Sequence, residues 1–236
     1  LAYIKTNVEG TYNILEASKN LNIDDIIITS TSEVYGTAQY IPIDEKHPNI
    51  AQSPYSASKI SADQLSISYY KSFGLPIKIV RPFNIYGARQ SPRAIIPTII
   101  LQILNNDSKE IKLGNTNPTR DFTYVEDTCS GFIEILKSPN FFGEIVNIGM
   151  NQEISMDKLF SKIAKILGFK SLNISIKQER VRPKNSEVNR LQCDNSKIIQ
   201  NTEWKPKYHL EEGLKKTIHW FKKNKMNNNK SSIYNI

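Results

Sequence analysis

Short, almost wholly apolar runs alternate along this chain with longer segments of helical spacing, and that alternation restricts the fold more than any other feature. Ile26-Ile27-Ile28 is a β-branched run of the kind found in strands buried on both faces. Residues 76–80 form a second such run, ended by Arg81-Pro82, and Gly143 to Gly149 reads GEIVNIG, a third. Shorter strands are predicted at 110–113 and 172–176. Between them, Ile4, Val8, Ile14, Leu15 and Ala17 fall near helical spacing over 2–20. Further helices are predicted at 55–73, closed by Gly74, at 93–105, 126–136 and 210–225, and at 156–167 between Ser155 and Gly168. Helices that alternate with buried strands predict an α/β protein with a doubly wound parallel sheet.

In such sheets ligands bind beyond the carboxyl ends of the strands. Residues 29–33 and 81–86 are two such ends and are expected to share one crevice. From about residue 113 the strands shorten and the loops become more polar. The reading divides the chain into 1–112, with the catalytic strand ends, and 113–226, a smaller lobe that binds substrate and returns segments to the sheet. Residues 227–236, in an Asn-rich stretch, are expected to be a disordered tail.

Chemistry concentrates at the first strand end. Thr31-Ser32-Glu33 places two hydroxyls and a carboxylate directly after a hydrophobic strand, where a carboxylate is costly unless paired or used. Some twenty residues on, Tyr55 and Lys59 are four apart on a predicted helix and so share a face. An ammonium beside a phenol favours the phenolate and makes it a usable base. Alone the pair is weak evidence: with 11 tyrosines and 24 lysines, about one such spacing arises by chance. Its proximity to the Thr-Ser-Glu strand end gives it weight.

Other classes find less support. The formal charge of +8 raises nucleic-acid binding. The lysines are dispersed, however, and the densest cluster, 215–230, reads as a solvated helix face and tail, so no nucleic-acid partner is expected. Excess positive charge also suits a phosphorylated substrate. Cys129 and Cys193 form no CxxC, and His47, His209 and His219 have no ligand spacing, so no metal is expected. No apolar run reaches membrane-spanning length and no signal-peptide pattern is read, so the expectation is a cytoplasmic protein without membrane contact.

Taken in order, several motifs resemble the extended short-chain dehydrogenase/reductase family in its nucleotide-sugar epimerase/dehydratase branch. They are Asn7-Val8-Glu9-Gly10-Thr11, Thr31 to Gly36, Tyr55 to Lys59, and Arg81-Pro82-Phe83-Asn84-Ile85-Tyr86-Gly87. Arg120 to Asp127 follows (RDFTYVED), then Asp194-Asn195-Ser196-Lys197, Trp204-Lys205-Pro206 and 210–214.

The resemblance implies a Rossmann-type fold and NAD that is reduced and reoxidised within one turnover. It implies that Tyr55 is the base on the sugar 4-hydroxyl, that Lys59 holds the nicotinamide ribose and lowers the Tyr55 pKa, and that Thr31 hydrogen-bonds the 4-oxygen. Asn7 and Phe83 match family positions near the cofactor, and Asn84, Arg120 and Arg182 match positions on the substrate diphosphate. A homodimer through helices 2–20 and 55–73 is also implied.

Glu33 separates the branches. Once C4 is a ketone, a carboxylate can remove the C5 proton and expel the 6-hydroxyl, whereas a 4-epimerase needs no such base. Glutamate before Val-Tyr-Gly thus resembles a 4,6-dehydratase. The dTDP-glucose dehydratases carry aspartate at the place of Ser32, and the Thr-Ser-Glu triplet is closer to the GDP-mannose dehydratases. The acid is then Glu33 itself or a water relayed through Ser32. The wider wording, SEVYGTAQYIPIDE with SPYSASK, is most similar to UDP-N-acetylglucosamine 4,6-dehydratases.

One departure is large. The family's strand with G-x-x-G-x-x-G, whose backbone approaches the cofactor pyrophosphate, is absent from the sequence. The missing part would be on the order of 80–90 residues, so the reading is of an N-terminally truncated chain. An epimerase of the same fold and an inert sugar-nucleotide-binding remnant are the two alternatives.

Overall fold

The computed structural model describes residues 1–105, 110–169, 172–181 and 183–224. Eight strands occur there: β1 (Ile26–Thr29), β2 (Ile77–Pro82), β3 (Asn84–Tyr86), β4 (Glu110–Leu113), β5 (Thr119–Tyr124), β6 (Ile145–Ile148), β7 (Glu153–Ser155) and β8 (Asn173–Ile176). Seven α-helices accompany them: α1 (Gly10–Lys19), α2 (Pro54–Phe73), α3 (Ile95–Asn105), α4 (Val125–Lys137), α5 (Met156–Ile166), α6 (Ser196–Asn201) and α7 (Leu210–Lys223). A π-helical stretch, Ile4–Glu9, leads into α1.

The strands form three sheets, ordered β1-β2-β6, β3-β5-β7 and β4-β8. All pairs are parallel except β5 with β7. In the first sheet β2 is central, with Ile28 opposite Ile79 and Val80 opposite Val146. Ile77 and Ile79 pack with Leu15 and Tyr69 of α1 and α2, while Val80 packs with Ile135 of α4, Ile198 of α6 and Trp204. Successive strand residues point to opposite faces, so this alternation puts helices on both sides of the sheet.

Burial on both faces holds for β2, all six of whose residues are buried, and fails for β1. Ile27 and Ile28 are half-buried and Thr29 is exposed, because β1 is the outer strand among the described residues. The largest apolar cluster lies in the later part of the chain. There Ile96, Ile99 and Ile103 of α3 meet Leu159 and Ile163 of α5 and Leu214 and Phe221 of α7. The pairs β2-β6 and β3-β5 both join segments from either side of residue 112.

Three strands escape the sequence pattern. β3 and β7 are three residues long, and β5 (TRDFTY) buries an arginine and an aspartate. The expected tail, 227–236, lies outside the described residues. No helix among the described residues is long and apolar enough to cross a membrane.

Candidate active site

The end of β1 is shaped by a single tight turn. Thr31 is in extended conformation, and its Oγ1 accepts the backbone N–H of Glu33 at 3.3 Å, starting a 3₁₀ turn over Ser32–Tyr35. The turn buries Ser32, Val34 and Tyr35 and leaves Thr31 and Glu33 half-buried. Gly36 closes it with φ 64°, where a Cβ would lie 2.5 Å from the Ile50 carbonyl oxygen. Only glycine fits both constraints.

Helix α2 delivers the next groups. Its start is fixed by a reciprocal cap: Ser53 Oγ accepts from Ser56 N, and Ser56 Oγ accepts from Ser53 N, both at 3.1 Å, with Pro54 in the first turn. That start sets Tyr55 in the first turn, facing the β1 end, where the Thr31 hydroxyl favours the ionised phenol. One turn on, Lys59 Nζ donates to the Thr29 carbonyl at 2.8 Å. Asn7 reaches the same helix, its Nδ2 donating to Ser58 Oγ at 2.9 Å. The Tyr3 ring lies 5.6 Å from that of Tyr55.

Burial pushes the Tyr55 phenol up, the Thr31 hydroxyl opposes this, and the Glu33 carboxylate raises it further. The Lys59 ammonium, one turn on, is committed to the Thr29 carbonyl and is itself pulled down by burial, with Asp63 opposing.

Beside this cluster lies a cavity of about 270 Å³, with Glu33, Asn84, Gln90, Arg93, Arg120 and Arg180 among its lining. Glu33 therefore belongs to the cavity wall and also exerts its charge on Tyr55. Asn84, on β3, has a buried Oδ1 with no hydrogen-bond partner, as does Oε1 of Gln90. Arg120, on β5, is 8% exposed. It donates to the Thr119 carbonyl at 2.8 Å and lies 3.7 Å from Glu187. Arg180 is carried at the wall by a close approach at Gly114, where a Cβ would lie 2.2 Å from the Arg180 carbonyl oxygen.

The structure thus brings Thr31, Glu33, Tyr55 and Lys59 together, with Asn7 on the α2 side and Asn84 and Arg120 across the cavity. Ser32 is buried in the turn at 3% exposure. The Phe83 side chain is enclosed with Val34, Tyr35 and Ile43 and does not line the cavity. Arg182 lies outside the described residues. Gln90, Arg93, Arg180 and Glu187 were not singled out in the sequence. The spacing of Arg89 and Arg93 around Gln90, and Arg180 two residues before Arg182, were the available signals. Among the described residues no group of three or more His, Cys, Asp or Glu is placed to hold a metal ion.

A tyrosine–lysine pair on a helix beside the carboxyl end of a parallel strand, next to an arginine-lined cavity, is an arrangement of the short-chain dehydrogenase/reductase class. The family model described as GDP-mannose 4,6 dehydratase matches residues 1–217, and the chain belongs to that family of extended short-chain nucleotide-sugar dehydratases and epimerases. It is 38% identical over 222 residues to a putative UDP-glucose 4-epimerase of Methanocaldococcus jannaschii, covering 92% of this chain and 70% of that protein. Two crystal structures superpose with a TM-score of 0.86 at 32% identity, each covering 94% of this chain and 69% of the other. One is the dTDP-glucose 4,6-dehydratase of Bacillus anthracis in complex with NAD. The other is the UDP-glucuronic acid 4-epimerase of Bacillus cereus in complex with UDP-glucuronic acid and NAD.

Proposed function

We propose that the protein acts as an NAD-dependent nucleotide-sugar 4,6-dehydratase, converting a nucleotide-diphosphate hexose to its 4-keto-6-deoxy form with loss of water. The observation that carries this is the double position of Glu33, on the cavity wall and within electrostatic range of Tyr55. A carboxylate there can reach both the sugar and the end of the catalytic helix.

The residues present fit the nicotinamide end of the cofactor. A half-buried ammonium held on the Thr29 carbonyl beside the Tyr55 phenol suits a ribose diol, with Asn7 braced against the same helix. NAD, when held there by Lys59 and Asn7, would supply the hydride chemistry that oxidises C4 and reduces C6 of the sugar. Tyr55 removes the C4 hydroxyl proton, steadied by the hydroxyl of Thr31. Glu33 then removes the C5 proton, acidified by the adjacent ketone. The proton for the departing 6-hydroxyl comes from Glu33 or from a water relayed through Ser32, and a second proton, balancing the one Tyr55 took, is returned to C5 as hydride reaches C6. Arg120, with Asn84, holds the diphosphate, and Arg182 is assigned to the same task from its motif position.

UDP-N-acetylglucosamine is the favoured substrate, on the wording of the segments around Glu33 and Tyr55. In this reading residues 1–112 supply catalysis and 113–226 chiefly the substrate wall. The exposed apolar side chains of Tyr3, Ile4, Tyr12 and Ile14 support pairing with a second copy through α1 and α2.

The equal likeness to a 4-epimerase and a 4,6-dehydratase gives the second reading, a 4-epimerase. Glu33→Gln separates the two. A dehydratase loses elimination in that variant, whereas an epimerase retains its turnover.

A further inference from the structure

Behind the catalytic cluster lies a buried ion pair that the chemistry above does not use. Asp63 and Arg81 are both 0% exposed. Arg81, on β2, donates from Nη2 at 2.8 Å and from Nε at 3.1 Å to a single oxygen of Asp63, Oδ2. That oxygen also accepts from Ser30 Oγ at 2.8 Å. One carboxylate oxygen therefore ties α2, β1 and β2 together.

Its location gives the tie a consequence. Tyr55, Lys59 and Asp63 recur every four residues along α2 and share a face. Ser30 is flanked by Thr29, whose carbonyl holds Lys59 at 2.8 Å, and by Thr31, whose hydroxyl meets Tyr55. On its other side the Arg81 guanidinium stacks 4.8 Å from the centre of the Tyr35 ring, and Tyr35 donates to Asn147 Oδ1 at 2.8 Å. Tyr35 ends the turn that carries Glu33. A buried ion pair is often no more stabilising than apolar residues of the same volume, so its burial here is weak evidence of a purely stabilising role.

We propose that Asp63, clamped by Arg81, is a positioning residue that holds Ser30 and so fixes its two neighbours at the end of β1, the Thr29 carbonyl that holds Lys59 and the Thr31 hydroxyl that faces Tyr55. The inference rests on the catalytic reading of Tyr55 and Lys59 given above. The groups facing Asp63 are Arg81 from β2, Ser30 just after β1 and Lys59 from its own helix. Its negative charge favours the Lys59 ammonium, opposing the burial that pulls that group down.

The test reads Lys59 directly. Its acetylation is followed by mass spectrometry across pH, with exposed lysines of the same chain as references. Asp63→Asn removes the negative charge and leaves a positive one, so the Lys59 midpoint should move to lower pH and its acetylation rate near neutrality should rise at least threefold. Asp63→Leu/Arg81→Met leaves no unpaired buried charge; the two charge effects on Lys59 then largely cancel, but the grip on Ser30 and the Thr29 carbonyl is lost, so Lys59 should still be more reactive than in the wild type, by less than in Asp63→Asn. Ser30→Ala deletes one neutral hydroxyl and should raise the rate about twofold even if the larger changes prevent folding. Wild-type Lys59 reactivity in folded Asp63→Leu/Arg81→Met, or in Ser30→Ala where the former does not fold, would overturn the proposal. Tyr55→Phe is assayed in parallel: retained turnover there would sink the catalytic reading, while the Lys59 titration still decides the positioning.

Discussion

The hydroxyl of Thr31 faces the phenol of Tyr55 and favours its ionised form, linking the turn at the end of β1 to the first turn of α2. This effect works against burial, which pushes the phenol above its ordinary range, and against Glu33, whose charge pushes it the same way.

The pH profile of kcat/KM follows from those opposing effects. In the proposed reaction Tyr55 acts as a phenolate, so activity should rise with pH through its pKa. Thr31→Val removes the hydroxyl that favours the phenolate, and the rising limb should move to higher pH. A neutral Glu33→Gln removes a charge that disfavours it, and the limb of any residual oxidation at C4 should move to lower pH. The two limbs are compared by cofactor absorbance at a series of pH values. Shifts in the same direction would contradict this assignment of charges.

Arg120→Lys keeps the charge at the cavity and loses the planar fork that matches phosphate oxygens. Binding of the sugar nucleotide should weaken by about tenfold, roughly 1.4 kcal/mol, with kcat little changed. Calorimetric titration with UDP-N-acetylglucosamine checks this, and unchanged affinity would remove Arg120 from the diphosphate site.

Gly36→Ala combines a left-handed backbone with a Cβ 2.5 Å from the Ile50 carbonyl oxygen. A loss of about 1–3 kcal/mol in folding stability is expected, measured by urea unfolding. Because the same turn carries Thr31 and Glu33, turnover should fall further than the unfolded fraction explains.

Much of this was legible from the residues. Ser53-Pro54 and Gly74 bracket α2, so the four-residue spacing of Tyr55 and Lys59 fixes their common face before any coordinates. Ile77 to Val80 reads as a buried strand because nothing in it needs water apart from Lys78, which donates to the Leu136 carbonyl. Where partners are distant in sequence, the pattern is silent. Asp121 is 0% exposed within β5, held by the backbone N–H groups of Met150, Gln152 and Cys193. A polar six-residue stretch shows none of this, so β5 was read only as a motif. The Thr29 carbonyl under Lys59 is a backbone group and leaves no mark in the sequence, and Arg180 and Gln90 line one cavity only because separate loops meet there.

The most direct test of the central assignment is the mass of the product formed from UDP-N-acetylglucosamine with the protein and NAD. A product lighter by one water, lost in Glu33→Gln and in Tyr55→Phe, is the expected result. Conversion to an epimer of unchanged mass, undiminished in Glu33→Gln, would contradict the dehydratase assignment and make the protein a 4-epimerase.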